Sequence, residues 1–344
     1  MTSAKGNEIH DYQKSSRNQE MRFDVSGMGN PLVDLLVSVD DDFITSNQLA
    51  KGIMHLIEKP QKDRLVDQLK EKETRLEAGG ACFNTVSALS LLGADTAVTG
   101  KIGTDEFGNI FEKKLTGKHV FSFLKKESGD TGVSIVLITP DKERTMNTYL
   151  GNCRKFARQD VPSEMILNSR YFYFTGYMWD TPSQKEATRY ALDLAKQNGV
   201  QIVFDAADPF AVKRNREDFL RLIENDADIA LANAQEAELL TGKNVQEAVE
   251  NIGQLCSIAV VKNGAEDTFI WSSDGLTRVP SFRGDVQDTT GAGDNFAAGF
   301  IYGLLQGYQL HKCGKLASFV ALKAIERIGS LVPDNIKELV EEIL

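Results

Sequence analysis

Short apolar runs alternate with longer amphipathic stretches along the chain from about residue 23 onward. Short apolar runs are typical of buried strands, and apolar residues recurring every three or four positions predict helices. Strands are predicted at 96–99, 170–175, 201–205, 227–232 and 257–262. Helices are predicted at 82–92, 105–115, 182–198, 234–241, 245–255, 292–306 and 310–328. This alternation predicts an α/β fold in which helices cover both faces of a mostly parallel sheet, with ligands beyond the carboxyl ends of its strands.

Two strand-like segments, 32–39 and 131–139, do not follow this alternation. The second of them is followed by the turn Pro140-Asp141-Lys142. We therefore expect both segments to pair outside the main sheet, in a small second sheet that acts as a lid. The lid is expected to be formed by segments near 32–60 and 119–148.

The domain organisation follows from composition along the chain. Residues 1–21 are polar, with Ser, Asn, Gln and charged side chains, and are interpreted as a flexible leader. No low-complexity linker and no internal repeat interrupts residues 23–344, so we expect one domain there.

Composition indicates a soluble globular protein in the cytoplasm. Hydrophobic residues make up 42% and charged residues 26% of the 344 positions. No apolar run approaches the roughly 20 residues that a membrane-spanning helix needs, and no secretory signal is visible. The four cysteines show no metal-binding spacing, so we expect reduced thiols and no structural metal.

The formal net charge of −10 argues against a surface for nucleic acid or anionic membranes. It does not exclude a phosphate ligand, because a helix N-terminus and a metal ion hold phosphate without a basic patch. The four histidines match no motif and are interpreted as structural or surface residues.

The strongest chemical signal is the heptapeptide DTTGAGD at 288–294, which precedes an apolar run of helical period. Gly291 and Gly293 permit a tight turn and close approach of a ligand to the backbone. The N–H groups of Ala292, Gly293 and Asp294 are expected to be unpaired at the helix N-terminus, where they suit a phosphoryl group. Asp294 either complements the helix dipole or accepts a hydroxyl proton during phosphoryl transfer, and the flanking glycines favour the second role.

Two other phosphate-binding motifs are incomplete. The sequence GxxxxGK[ST] does not occur, since Gly100-Lys101 is followed by Ile102. The tripeptide Gly27-Met28-Gly29 resembles the start of GxGxxG, but Leu32 stands at the third glycine position. A nicotinamide-dependent oxidoreductase is therefore disfavoured.

DTTGAGD resembles the second signature of the ribokinase-like (PfkB) carbohydrate kinase family. The resemblance implies that Asp294 is the catalytic base and that the backbone of Gly291, Ala292 and Gly293 forms an anion hole. It also implies a three-layer α/β/α sandwich with a mostly parallel central sheet and a small β-sheet lid. The resemblance covers nearly the whole chain from residue 23, and its five motifs occur in family order.

The motif Asn233-Ala234-Gln235-Glu236 resembles the NxxE motif of this family, whose members bind ATP and Mg²⁺. The resemblance implies that Asn233 and Glu236 help hold the phosphates and the metal, with Glu236 acting through water. A helix capping box is the structural alternative for these two residues. Lys262 and Gly264 are implied to border ATP. In the same loop Asp267 replaces a glycine usual in sugar kinases, which makes it closer to the loop of adenosine kinases.

The segment Gly79-Gly80-Ala81-Cys82-Phe83-Asn84 resembles the first family signature. It implies that Gly79 and Gly80 allow close approach of a sugar and that Asn84 binds its hydroxyls. Cys82 and Val86 depart from the small residues of the strict signature, and adenosine kinases depart at the same places.

Four further residues, in three segments, are implied to bind the substrates. Asn30 and Asp34 lie in the segment GNPLVD, which resembles the adenosine kinase version; there an Asp accepts hydrogen bonds from vicinal ribose hydroxyls. Tyr177, in Gly176-Tyr177-Met178-Trp179, falls where adenosine kinases supply aromatic packing for the base, with core packing as the alternative. Arg144 follows a turn that in some relatives sends an arginine towards the phosphates, with a solvated charged turn as the alternative.

These residues predict an ATP- and Mg²⁺-dependent kinase that phosphorylates the 5′-hydroxyl of adenosine, closest to the adenosine kinase branch. A family kinase acting on a free ribose- or fructose-like sugar is the first alternative. A non-catalytic nucleoside- or sugar-binding protein on the same fold is the second. The expected partners are small molecules, with no nucleic acid and no membrane. Activation by K⁺, which occurs in some relatives, and a monomeric or homodimeric state are left open.

Overall fold

The computed structural model describes residues 22–343. The predicted leader at 1–21 lies outside the described residues. The strands are β1 (Phe23–Met28), β2 (Leu32–Ser38), β3 (Met54–Leu56), β4 (Thr74–Gly79), β5 (Thr96–Thr99), β6 (Lys101–Gly103), β7 (Phe121–Ser122), β8 (Lys125–Glu127), β9 (Gly132–Ile138), β10 (Arg144–Tyr149), β11 (Ser169–Thr175), β12 (Gln201–Asp205), β13 (Ile229–Asn233), β14 (Ile258–Lys262), β15 (Thr268–Ser272) and β16 (Gly275–Val279). The α-helices are α1 (Asp41–Ser46), α2 (Lys59–Leu69), α3 (Ala81–Leu92), α4 (Glu106–Thr116), α5 (Ser163–Leu167), α6 (Pro182–Gln197), α7 (Pro209–Asn225), α8 (Ala234–Thr241), α9 (Val245–Gly253), α10 (Ala292–Leu305), α11 (Leu310–Ile325) and α12 (Ile336–Glu341).

The central sheet of the described chain has nine strands, in the order β16-β15-β14-β13-β12-β11-β1-β5-β7. Neighbouring strands from β14 to β7 are parallel, whereas the pairs β14–β15 and β15–β16 are antiparallel. Parallel pairing follows from the helical crossovers between consecutive strands. The mostly parallel sheet predicted from the sequence is confirmed.

Alternating side chains fill two cores, one on each face of this sheet. Along β11, Tyr171 and Tyr173 pack into the core formed with α3, α10 and α11. Phe172 and Phe174 pack into the opposite core, formed with α6, α7 and α8. This arrangement reflects the two-residue period of a strand, and it explains why the strands read as unbroken apolar runs. The layered α/β/α architecture agrees with the predicted fold class.

The sequence-based prediction omitted α7, which follows β12 and lies beside the carboxyl end of the sheet. Asp208 caps this helix by accepting hydrogen bonds from the N–H groups of Phe210 and Ala211, and Pro209 occupies its first position. The backbone at Asn215 is non-helical, with φ of −129° and ψ of 22°. The interruption shortens the regular apolar period, which explains the omission.

A second sheet contains β2 and β9, which are parallel neighbours in the order β3-β10-β9-β2-β4. Its membership differs in part from the ranges expected for the lid. Strand β4 belongs to it although residues 74–79 lie outside those ranges. Conversely, β7 pairs with β5 of the central sheet and β8 pairs with β6. Both β7 and β8 are short strands, of two and three residues, with little apolar periodicity to indicate their partners.

The two faces of the second sheet have different surroundings. Alternate residues of β2 and β9, such as Leu35 and Ile135, pack against Leu65 of α2 on the outer face. Asp34 pairs in register with Ser134, and both line a cavity on the inner face. Within residues 22–343 no helix has the length and apolar character to span a membrane.

Candidate active site

A cavity of about 1140 Å³ lies between the carboxyl ends of the central strands and the inner face of the second sheet. This is the position that parallel sheets favour for ligands. Residues at or just beyond the ends of β11, β12, β13 and β14 line one side: Thr175, Asp205, Asn233 and Lys262. Residues from β2, β3, β9 and β10 line the other: Leu32, Asp34, Met54, Leu56, Ser134, Met146 and Thr148.

The N-terminus of α10 opens into this cavity. Gly291 has φ of +74°, and a Cβ there would lie 2.5 Å from the carbonyl oxygen of Ser330, so glycine is required. Across residues 22–343 the N–H groups of Gly291, Gly293 and Asp294 have no hydrogen-bond acceptor. These three donors are available to an anion at the positive end of the helix.

Ala292 departs from the expectation of an unpaired N–H group. Its N–H donates to the carbonyl oxygen of Thr289 at 3.2 Å. The tight turn that glycine permits at 291 brings these two groups together. Ala292 lines the cavity, but its N–H group is already used within the protein.

Asp294 lies in the first turn of α10, where its carboxylate accepts a hydrogen bond from Asn84 Nδ2 at 2.9 Å. Burial raises the pKa of Asp294 to about 7; the bond from Asn84 opposes this rise, the Asp205 charge adds to it, and Lys262 lowers it. A carboxylate with a pKa near neutrality is suited to accept a proton from a hydroxyl.

Asp34 is the second cavity carboxyl with a perturbed pKa. Burial, followed by the charge of Asp294, raises the pKa of Asp34 to about 7, while Arg144 lowers it. A Cβ at Gly79, on the neighbouring strand β4, would overlap the Asp34 carboxylate. Gly79 does not line the cavity, and its lack of a Cβ leaves room for the Asp34 carboxylate.

We predict that Gly79→Ala lowers acceptor affinity about tenfold, because the added methyl displaces the Asp34 carboxylate at a cost of about 1–3 kcal/mol. The KM for the acceptor measures this effect, and the KM for ATP should stay the same. Gly117→Ala is the matched control, since Gly117 has φ of −64° and a Cβ there would meet no atom closer than 3.5 Å. An unchanged acceptor KM in a folded Gly79→Ala variant would contradict this role.

Arg144 connects the second sheet to the DTTGAGD loop. Its guanidinium forms an ion pair with Asp288 at 2.5 Å and donates to Thr290 Oγ1 at 3.1 Å. Asp288 is almost fully buried, and its carboxylate also accepts from the N–H groups of Thr290 and Gly329. Arg144 is thus a partly buried residue that bridges the second sheet and the DTTGAGD loop. It does not line the cavity of this structure.

Asn233 and Glu236 form the capping box that was the structural alternative. The carboxylate of Glu236 accepts from the backbone N–H and from Nδ2 of Asn233, at 2.8 and 2.6 Å. Both residues also line the cavity, so the structural role and a ligand-binding role are compatible. Burial raises the pKa of Glu236 to about 7, against the lowering effect of Lys262. Lys262 Nζ contacts Asp205 at 2.9 Å, and a Cβ on Gly293 would lie 3.4 Å from that nitrogen.

The site fits a magnesium ion that is held mainly by phosphate oxygens and water. In the described part of the chain no three His, Cys, Asp or Glu side chains converge to form a protein metal site. Both oxygens of Glu236 are engaged by Asn233, which favours contact with the ion through water. Gly264, with φ of +60°, lines the same side of the cavity.

The predicted acceptor residues fall into two groups. Asn30 and Gly80 line the cavity, and Asn30 Oδ1 accepts from Gln184 Nε2 at 2.8 Å. Asn84 also lines it, but both of its side-chain polar atoms are bonded within the protein: Nδ2 to Asp294 and Oδ1 to Ser330. Asn84 is therefore placed to orient Asp294, a contact that the interpretation as a hydroxyl ligand did not anticipate.

The aromatic segment 176–179 contributes one residue to the cavity. Tyr177 lines it, whereas Met178 and Trp179 are 0% and 4% exposed and pack in the core behind. The 3₁₀ turn Gly176–Trp179 directs successive side chains to different sides, so core packing is correct for the last two residues.

Sequence reasoning missed two parts of the wall. One lies at the end of β12 and just beyond it, and includes Asp205, Asp208 and the half-exposed Phe210. Asp205 could have been found from the rule that ligands bind at the carboxyl ends of strands, because a strand was predicted to end at this residue. The other is an apolar patch beside Lys262 and Gly264, formed by Phe282, Val286, Ala321, Leu322 and Ile325. No local motif marks these residues, because two segments that are separate in the sequence, 282–286 and 321–325, contribute to the patch.

Comparison with known proteins finds similarity to carbohydrate kinases and adenosine kinases. The family model described as pfkB family carbohydrate kinase matches residues 49–336. The solved adenosine kinase from Sinorhizobium meliloti is 32% identical, with a TM-score of 0.86 and coverage of 94% of this chain and 100% of that one. A probable sugar kinase protein from Rhizobium etli CFN 42 is 34% identical, with a TM-score of 0.87 and coverage of 94% and 99%. Adenosine kinase from Saccharomyces cerevisiae is 27% identical, over 90% of this chain and 96% of the relative.

Proposed function

Because the chain belongs to the pfkB family of carbohydrate kinases, and is therefore a phosphotransferase with an alcohol acceptor, we propose that it transfers the γ-phosphate of ATP to the 5′-hydroxyl of adenosine. The observation that carries this choice is the apolar inner face of the second sheet. Five apolar side chains from this sheet and its margin line the cavity near Asp34: Leu32, Met54, Leu56, Met146 and Leu150. A purine base can pack against such an apolar face. The hydroxyls of a free sugar would find no hydrogen-bond partners on it.

Asp34 supports binding of the ribose. An ionised carboxylate accepts two hydrogen bonds, which vicinal 2′- and 3′-hydroxyls donate. Asp34 lies in register with Ser134, and Ser134 lies in register with Thr148 on β10. These polar side chains form one row beside the apolar ones, so a single molecule with a sugar and a flat base matches the inner face.

Asp294 is proposed as the base that takes the proton of the 5′-hydroxyl as that oxygen attacks the γ-phosphorus. The free N–H groups of Gly291 and Gly293, together with Lys262, stabilise the charge on the phosphoryl oxygens. Mg²⁺ bound with ATP supplies further positive charge at the phosphates. The second sheet covers the reacting groups and excludes water, which is the competing acceptor.

The nucleotide is proposed to occupy the side of the cavity lined by Asn233, Glu236, Lys262 and Gly264. The neighbouring apolar patch suits the adenine of ATP. The acceptor side and the nucleotide side of the cavity therefore each offer an apolar surface for a base. Asp294 and the N-terminus of α10 are proposed to lie between the two ligands, where the phosphoryl group is transferred. Its volume of about 1140 Å³ is sufficient for two ligands of this size.

A kinase for a free sugar is the second candidate. The observation in its favour is the similarity to the probable sugar kinase protein from Rhizobium etli, which is as close as that to the adenosine kinase. A non-catalytic binding protein is disfavoured, because Asp294 and the free N–H groups of Gly291 and Gly293 are all present.

ADP release with Mg-ATP tests the proposal when adenosine, guanosine, cytidine, ribose and fructose are compared as acceptors, with and without K⁺. The proposal predicts the highest kcat/KM for adenosine and only background release without an acceptor. Turnover of ribose or fructose alone would keep the kinase chemistry and overturn adenosine as the acceptor.

A further inference from the structure

Asp294, the candidate base, is connected through hydrogen bonds to the loop at residues 329–330, which belongs to no sequence motif. Ser330 Oγ donates to Asn84 Oδ1 at 3.1 Å, and Asn84 Nδ2 donates to the Asp294 carboxylate at 2.9 Å. Ser330 and Asn84 are each 5% exposed. The three side chains form a buried hydrogen-bonded series that ends on the base.

The direction of this series follows from the chemistry of the amide. If the Asn84 amide were reversed, its oxygen would face the Asp294 carboxylate, and two acceptors would stand in contact. The hydroxyl proton of Ser330 favours the observed orientation from the other end. Removing that proton donor leaves the Asn84 oxygen without a partner in a buried setting, which frees the amide to rotate.

The same loop forms hydrogen bonds to both ends of the DTTGAGD segment, at Asp288 and just beyond Asp294. The N–H of Gly329 donates to Asp288 Oδ2 at 2.7 Å, and the carbonyl oxygen of Ser330 accepts from Asn295 Nδ2 at 2.7 Å. Gly291 packs directly against Ser330, with no space for a Cβ. Ser330 is therefore held in a constant position relative to the start of α10.

We propose that Ser330 is a positioning residue for phosphoryl transfer, which holds the Asn84 amide so that this amide fixes the Asp294 carboxylate. The inference rests on the proposed function of Asp294 as the base. It assigns Asn84 to the orientation of the base, and it adds a residue from the far end of the chain to the site.

The bond from Asn84 also affects the ionisation of Asp294. Burial raises the pKa of this carboxyl, and the bond lowers it again. The other charged groups that act on Asp294 are Asp205 on β12 and Lys262 on β14. The Asp294 charge in turn raises the pKa of Asp34 on β2. It also raises the pKa of three uncharged side chains: Cys82, Tyr173 and Tyr177. None of these groups is altered by a change at Ser330.

A carboxyl acts as a base only in its ionised form, so kcat/KM falls as the pH drops through the pKa of Asp294. Losing the stabilising bond raises that pKa, and the acid limb of the pH profile moves to higher pH. We expect Ser330→Ala to shift the limb upward and to lower kcat about five- to tenfold, the effect of one hydrogen bond, with both KM values within about twofold. Asn84→Ala should shift it further, and the double variant should be no worse than Asn84→Ala.

The matched control is Ser169→Ala. Ser169 is also a buried serine whose hydroxyl makes one hydrogen bond, to the carbonyl oxygen of Met165, and it lies at the opposite end of the sheet. This variant should keep the acid limb of the unchanged protein. A lowered kcat in Ser330→Ala without a shifted limb, or additive effects of Ser330→Ala and Asn84→Ala, would overturn the proposal.

A measurement without turnover separates this inference from the choice of acceptor. The carboxyl carbon of Asp294, assigned by comparison with Asp294→Asn, is titrated by ¹³C NMR in the full-length protein. An upward shift of its pKa in Ser330→Ala supports the positioning role, whichever alcohol is phosphorylated. An unchanged pKa overturns that role even when adenosine is the acceptor.

Discussion

Asp294→Asn is expected to lower kcat by about 10²- to 10⁴-fold, the usual contribution of a general base. The asparagine keeps the size of the side chain but cannot take the hydroxyl proton. Its oxygen still accepts from Asn84, so the start of α10 should keep its geometry. The KM for ATP is expected to change little, because the N–H groups of Gly291 and Gly293 remain. Steady-state ADP release at saturating adenosine measures the effect.

Asp24→Asn is the matched control for this experiment. Asp24 also accepts a hydrogen bond through its carboxylate, from the N–H of Asp95 at 2.9 Å, but it lies at the amino end of β1, away from the cavity. This variant should retain the kcat of the unchanged protein. A loss of less than about tenfold in a folded Asp294→Asn protein, well below the range for a general base, would contradict the assignment.

Asp34→Ala is expected to raise the KM for adenosine by about 100-fold or more. Two hydrogen bonds from ribose hydroxyls to a carboxylate are lost, each contributing about 1.5–3 kcal/mol. The KM for ATP should be unaffected, since Asp34 lies on the inner face of the second sheet and the proposed nucleotide side lies at β13 and β14. Acceptor titrations at saturating ATP measure the change.

Two comparisons sharpen the result for Asp34. 2′-Deoxyadenosine should lose most of its disadvantage relative to adenosine in Asp34→Ala, because the contact that distinguishes them has been removed. Asp63→Asn, on the outer helix α2, is the control and should leave both acceptors unchanged. An equal loss of affinity for ATP and adenosine in Asp34→Ala would indicate a general disturbance of the site and contradict a role in ribose binding.

The sequence was informative where one segment carries the whole signal. The parallel strands could be predicted because each is buried on both faces and therefore apolar throughout, as Tyr171 and Phe172 illustrate by packing into opposite cores. The start of α10 could be predicted because Gly291 and Gly293 give way to an apolar helical period. The helix α7 was missed because its regular period is interrupted at Asn215.

The site was predictable to the extent that its residues lie in local motifs. Asp34, Asn233, Glu236 and Asp294 line one cavity, although 260 positions separate the first from the last. Their relation to other side chains depends on tertiary contacts that no spacing expresses. Ser330 illustrates this limit, since its partner Asn84 is 246 positions away.

The sequence also did not show which hydrogen-bond donors of the site have partners within the protein. The glycine pattern predicted free N–H groups at the helix start, and the structure uses that of Ala292 within the turn. The resemblance implies that Arg144 points towards the phosphates, and it gives no indication of the ion pair that the guanidinium forms with Asp288. Both contacts form because polar groups that are removed from water take hydrogen-bond partners within the protein.

Product analysis after incubation with Mg-ATP tests the central claim most directly, with adenosine and 5′-deoxyadenosine compared as acceptors. The two molecules share the base and the vicinal hydroxyls, and they differ only in the hydroxyl that Asp294 is proposed to deprotonate. We predict AMP and ADP in equal amounts from adenosine, and competitive inhibition without any phosphorylated product from 5′-deoxyadenosine. Absence of AMP from adenosine, or a phosphorylated product from 5′-deoxyadenosine, would contradict the account.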